Sequence, residues 1–219
     1  MKKNGKRVLF VGSVLIVTFV VWTFLIQAID VQPLGQNGTN IGFATFNCWF
    51  HKLTGVNMTI YIITDWLGFI PVFVCVIFGV IGFVQLIKRR SIFKVDYDII
   101  VLGIYYVIVI FGYLGFEMIP INYRPILIEG IMEASYPSST TLLVLSVMPT
   151  LVFQAEIRIK KYKKIIKFIT VLFSVSMVVG RLLSGVHWFT DIIGSCFLSL
   201  GLFYCYKASV LSWGKLNGI

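Results

Sequence analysis

Six predominantly apolar runs, at about 8–29, 60–87, 97–116, 138–155, 166–184 and 188–206, take up most of this chain. A helix that crosses the hydrocarbon core of a bilayer needs about 20 such residues. The runs therefore predict an all-α fold: a six-transmembrane-helix bundle, read as one integral membrane domain over residues 1–219. Composition agrees. The chain is 58% hydrophobic and 13% charged, with a mean hydropathy of +0.91. Soluble domains are nearer to about 45–50% apolar and about 25% charged.

The net charge of +10 could suggest nucleic acid. The positions of the charges argue for topology instead. Lys2, Lys3, Lys6 and Arg7 precede the first run, and Lys88, Arg89, Arg90 and Lys94 follow the second. Arg158, Lys160, Lys161, Lys163, Lys164 and Lys167 lie between the fourth and fifth, and Lys207 and Lys215 come last. Sixteen of nineteen basic residues thus fall in alternate connections, the positive-inside pattern. Both termini are expected in the cytoplasm, with anionic lipid rather than nucleic acid as the basic loops' partner. The N-terminal run has a basic start and no small-residue cleavage site, so it reads as a signal anchor that stays. Cys48, Cys75, Cys196 and Cys205 show no metal or redox spacing and read as packing residues.

Three basic residues break the pattern: Lys52, Arg124 and Arg181. All three are predicted on the outer side. Lys52 sits in the first outer loop, about 30–59, whose "IGFATFNCWFHKLTG" suggests a helix lying in the membrane interface. Arg124 sits in the second, about 117–137, with Glu117, Glu129 and Glu133. Arg181 ends the fifth run. Charge at the edge of a bundle is costly and marks a functional site. Two guanidiniums from distant parts of the chain, at one membrane level, suit a phosphate, whose oxygens match the planar fork of arginine.

"GRLLSGVHWFTD", residues 180–191, adds His187 and Asp191. Four residues apart at a helix start, they share one face. Asp191 is expected to accept a hydrogen bond from one ring nitrogen, leaving the other basic. That is the arrangement of an oriented nucleophile. An interfacial arginine beside a His–Asp pair that caps two helices would look the same. "YPSSTTLL", 136–143, places Pro137 and Ser138 at a helix start, where free N–H groups can cradle an anion. An ordinary helix cap fits it equally.

Together these residues resemble the type 2 phosphatidic acid phosphatase superfamily of integral membrane lipid phosphatases, over about residues 60–206. Its three signatures are Lys, six residues and Arg-Pro; Pro-Ser-Gly-His; and Ser-Arg with a His six positions after the Arg and an Asp four later. Arg124-Pro125, Pro137-Ser138 and the set Arg181, His187, Asp191 match them. Gly180 replaces the Ser of the third, and Ser139 the Gly of the second. The resemblance implies that His187 attacks phosphorus to form a phosphohistidine and that Asp191 orients it. Arg124, Arg181 and the backbone at Ser138 and Ser139 would hold the phosphate, with no metal or other cofactor. Two positions depart from the signatures: Glu117 stands where the Lys belongs, and Thr140 where the His that serves as general acid belongs. A pyrophosphate substrate tolerates the loss of an acid better than a phosphomonoester does. His51 and Lys52, in the outer loop, are candidate replacements for the missing acid and cation.

Three function classes compete. The first is a phosphatase in a bacterial inner membrane with its site facing outward, acting on a lipid phosphate or pyrophosphate such as undecaprenyl pyrophosphate or phosphatidylglycerophosphate. The second is a weakened homologue that binds phospholipid head groups without efficient turnover. The third is a small transporter, for which Asp65 is the candidate intramembrane charge.

Overall fold

Residues 2–213 are described by the computed structural model, and Lys215 lies outside them. The helices are α1 (Lys2–Ala28), α2 (Ala44–Thr54), α3 (Met58–Leu67), α4 (Phe69–Arg89), α5 (Tyr97–Met118), α6 (Ser139–Arg158), α7 (Lys163–Ser184) and α8 (Phe189–Trp213). Six spans are long and apolar enough to cross a membrane: α1, α3 with α4, α5, α6, α7 and α8. The fold class agrees with the six runs in the sequence. Ends differ where charged side chains extend a helix past its apolar stretch, since Lys and Arg can lay their stems along it and keep the charge in water.

The second run is not one helix. Pro71 has no N–H to donate to Leu67 and its ring crowds that carbonyl. The chain breaks at Gly68, whose N–H closes α3 on the carbonyls of Thr64 (3.1 Å) and Asp65 (3.0 Å). This leaves α3 as a short helix of 10 residues leading into α4.

α6 and α8 form the centre. In their most apolar 18 residues, 61% and 56% are buried, against 17–28% in the other four spans. The reason lies in their side chains. Thr141, Ser146 and Thr150 on α6 and Ser195 and Ser199 on α8 carry hydroxyls that lipid cannot satisfy, so these helices face protein. Ser195 Oγ lies 3.0 Å from the carbonyls of both Ser138 and Asp191 and ties the two helix starts together. Pro149 has no N–H for the Leu145 carbonyl of α6, and the Tyr105 hydroxyl donates to the neighbouring Ser146 carbonyl (2.9 Å). α1 packs along α8 and fastens to its start: Trp22 Nε1 donates to the Thr190 carbonyl (3.1 Å).

α2 is the short helix expected in the first outer loop. Trp49 and Phe46 are exposed on it, while Asn47 is fully buried. Asn47 Nδ2 donates to Thr190 Oγ1 (3.0 Å) and to the Gly42 carbonyl (2.9 Å). The segment between α2 and α3 then follows the α7–α8 turn, with Asn57 N–H donating to the Ser184 carbonyl (3.0 Å). Gly185, in that turn, has φ +67°, and a Cβ on it would fall 1.9 Å from the Gly55 carbonyl oxygen. Both facts demand glycine there.

At the opposite, basic end an ion-pair network joins three spans. Asp96 accepts from Arg89 (2.7 Å), Arg158 (3.1 Å) and Gln85 (2.9 Å), and Arg158 also reaches Asp98 (2.6 Å). Burial pushes the Asp96 carboxyl up, but its hydrogen bonds with Arg89, Arg158 and Gln85 outweigh that and hold it below the usual value of 3.8. A depressed folded pKa stabilises above the unfolded value and is lost as pH falls through the folded one. Asp96→Asn should therefore lower the melting temperature in detergent at pH 7 by on the order of 2 °C. The gap from wild type should close as the pH drops below about 4. A gap that persists in acid would assign the effect to packing.

Candidate active site

The residues singled out in the sequence meet at the end of the bundle away from the basic loops. The segment after α5 folds into a hairpin, with bridges Tyr123↔Ala134 and Ile128↔Ile131. The Arg124 N–H donates to the Glu133 carbonyl (3.1 Å), and the Ser135 N–H to that of Asn122 (2.9 Å). This hairpin delivers Arg124 and Ser135 to the mouths of α7 and α8, where Arg181 and His187 stand.

Arg124 and Arg181 converge on one aromatic ring. Their guanidinium carbons lie 5.8 and 4.9 Å from the centroid of Tyr61 on α3, a cation–π arrangement for each. Each arginine also has one carboxylate. Arg124 Nη2 meets Glu133 Oε2 at 3.0 Å, and Arg181 Nη2 meets Asp65 Oδ1 at 2.8 Å and also donates to Thr140 Oγ1. The other edges are bare. Among the described residues, Nε and Nη1 of both arginines are buried without a partner, and so is Nε2 of His187. Buried polar groups are almost always paired in a protein interior. Four cationic N–H-bearing atoms and one imidazole nitrogen are thus left open at one end of the fold, an arrangement that can accept an anion.

The expected bond between Asp191 and the His187 ring is not made. Nδ1 and Asp191 Oδ2 are 4.0 Å apart. The lone pairs of Oδ2 are already taken by the Ser135 hydroxyl and the Trp188 N–H (2.9 Å), the latter a third-residue carboxylate capping the start of α8. Oδ1 accepts from Asn122 at 3.3 Å. His187 Nδ1 instead lies 3.1 Å from the Ser135 carbonyl. A carbonyl only accepts, so Nδ1 carries the proton and Nε2 the lone pair. Asp191 orients the ring at one remove, by holding the residue that holds it. Ser135 and Asn122 had no signal in the sequence: a lone serine and a loop asparagine match no motif.

The remaining candidates divide. Ser138 is engaged inside the bundle, its N–H 3.4 Å from the Asp191 carbonyl and its hydroxyl donating to Thr141 (3.1 Å). Ser139 opens α6, half-buried, at an N-terminus that favours anions. Glu117 is exposed and is in no ion pair among the described residues. Arg124 pairs with Glu133 instead. His51 does not reach the arginines: its Nε2 lies 3.0 Å from the Gly185 carbonyl and its ring 5.5 Å from that of Trp188, so it braces the turn that carries His187. Lys52 is exposed. Among the described residues no group of His, Cys, Asp and Glu has a metal-binding arrangement.

A groove of about 290 Å³ leads away from Arg181 between α4, α5 and α6. Asp65, Ser139 and Thr140 line its polar end, and Phe69, Val72 and Ile110 line an apolar end that is exposed to the membrane side. Two larger grooves, of about 570 and 660 Å³, touch none of these site residues.

Residues 112–214 match the model of the PAP2 superfamily. The PAP2 region holds both arginines, His187, Asp191 and Ser135, while Tyr61 and Asp65 lie before it. Among solved structures the chain is similar to the crystal structure of the first transmembrane PAP2 type phosphatidylglycerolphosphate phosphatase from Bacillus subtilis. The TM-score is 0.68 over 92% of this chain and 96% of that one, at 16% identity, which is a likeness of fold. No curated protein matches the sequence.

Burial first, and then the charges of Arg124 and Arg181, push the His187 imidazole well below its ordinary pKa of 6.5. The ring stays neutral, and its nucleophilic nitrogen bare, into acid. With ¹⁵N-labelled histidine, the His187 signals should keep the Nδ1–H form at pH 6. Arg124→Gln removes one cation and should move the titration upward, toward 6.5. An unshifted titration in that variant would separate the arginine from the ring.

Proposed function

We propose that this chain is a lipid phosphatase that forms a phosphohistidine on Nε2 of His187. The observation that carries the reading is the convergence of that unpartnered nitrogen with the open edges of Arg124 and Arg181. The PAP2 match over residues 112–214 supports it. The substrate is a phosphomonoester or pyrophosphate lipid of the undecaprenyl pyrophosphate or phosphatidylglycerophosphate class.

In this reading the head group sits between the arginines and the lipid tail lies in the groove beside α4, α5 and α6. The Nε2 lone pair forms the N–P bond as the bond from phosphorus to the lipid oxygen breaks. Charge that builds on the equatorial oxygens falls on N–H groups already in place, so little reorganisation is needed. The ring becomes cationic as it is phosphorylated. The Ser135 carbonyl on Nδ1 and the Asp191 carboxylate 4.0 Å away stabilise that charge. The guanidiniums supply what a metal would otherwise supply. The basic end faces the cytoplasm of a bacterial inner membrane, so the site faces outward.

A second reading, head-group binding without efficient turnover, draws on Thr140, which cannot act as an acid near neutral pH, and on Glu117, which brings no cation. Phosphate release from a panel of prenyl pyrophosphates, phosphatidylglycerophosphate and phosphatidate separates the two. Wild type should turn over at least one of them. His187→Ala should lower the rate by about 10³-fold or more. Arg124→Gln or Arg181→Gln should each cost about 10²–10³. Well-folded wild type that releases no phosphate from any lipid would favour the second reading.

A further inference from the structure

We infer that Asp65 is the general base of the reaction, taking the proton from the water that resolves the phosphohistidine. The inference rests on the phosphatase reading above. Hydrolysis of a phosphoenzyme needs a group that can accept a proton, and the arginines cannot. Asp191 is fully buried, with both oxygens occupied by Ser135, Trp188 and Asn122. Each arginine, however, has a carboxylate that is not fully buried: Glu133 on Arg124 and Asp65 on Arg181.

Geometry chooses between them. Attacking and leaving groups at phosphorus lie roughly in line. Nε2 of His187 attacks from one side, so the lipid oxygen leaves on the other, toward the groove that holds its tail. The water that breaks the N–P bond must enter by that vacated side. Asp65 lines this groove, and Glu133 belongs to the loop hairpin. Asp65 Oδ1 and Thr140 Oγ1 also meet the same nitrogen, Arg181 Nη2, so the carboxylate stands within a water's reach of the side chain at position 140. Its side chain is 56% exposed, so the carboxylate is not sealed behind protein. As the O–P bond forms, the water proton passes to the Asp65 carboxylate. The N–P bond breaks, its electron pair returns to Nε2, and the proton leaves to solvent with the released phosphate.

The test is rapid mixing of wild type, Asp65→Asn and His187→Ala with a prenyl pyrophosphate labelled at its terminal phosphate, quenched in base to preserve phosphohistidine. Asparagine keeps an oxygen for Arg181 Nη2 and so keeps the clamp. Asp65→Asn should form phosphoenzyme in a stoichiometric burst and then release phosphate about 10²–10⁴-fold more slowly than wild type. His187→Ala should form none. A simple packing role for Asp65 would weaken binding without making the intermediate accumulate. Turnover of Asp65→Asn within about threefold of wild type, or loss of the burst itself, overturns the assignment while leaving the phosphatase reading intact. If wild type releases no phosphate and forms no phosphoenzyme, both fall together.

Discussion

Arg124 and Arg181 share the ring of Tyr61, and two cations held that near each other out of water repel. The rest of this end of the molecule answers that cost. Glu133 and Asp65 neutralise one edge of each guanidinium, and the ring offers its negative face to both. The second edge of each is left without an internal partner. An anion with several oxygens completes the arrangement, and a phosphoryl group is the natural match in geometry and charge. Burial keeps His187 neutral, and the same field adds to it by disfavouring a third positive charge.

Much of this was legible in the sequence, and the reasons are physical. Spans are readable because a bilayer imposes a length. Arg124, Arg181, His187 and Asp191 stood out because each is expensive where it lies. What could not be read is the wiring between distant segments. The partner of Nδ1 is a backbone carbonyl 52 residues away. Glu133 appeared in the sequence as one acid among several, and its pairing with Arg124 depends on a hairpin register that no pattern announces. Asp65 was visible as a charge in an apolar run, where it pointed to a transport path. The structure pairs it instead with Arg181. His51 shows the opposite error: proximity in the loop suggested chemistry, while its ring serves the Gly185 turn.

The site is supported in depth on one side and open on the other. Behind His187, the turn is held by Asn57, His51 and Gly55, and the start of α8 by Asn47, Trp22 and Asp191. In front, toward α4 and α5, the boundary is a groove whose apolar walls continue into the lipid-facing surface. A nucleophile needs a fixed direction, and a substrate that never leaves the bilayer needs a sideways path. The two needs fall on opposite sides of the same pair of arginines.

The bond between Trp22 and Thr190 has a consequence in time. These residues are 168 positions apart, so at roughly 5–20 residues per second the ribosome makes the second about 8–35 s after the first. For that interval α1 stands in the membrane without the helix it packs against, and His187 has not yet been made. Assembly of the site is therefore a late event in the life of each nascent chain, and the earliest helix must persist alone, as a lone apolar span can, until the latest arrives.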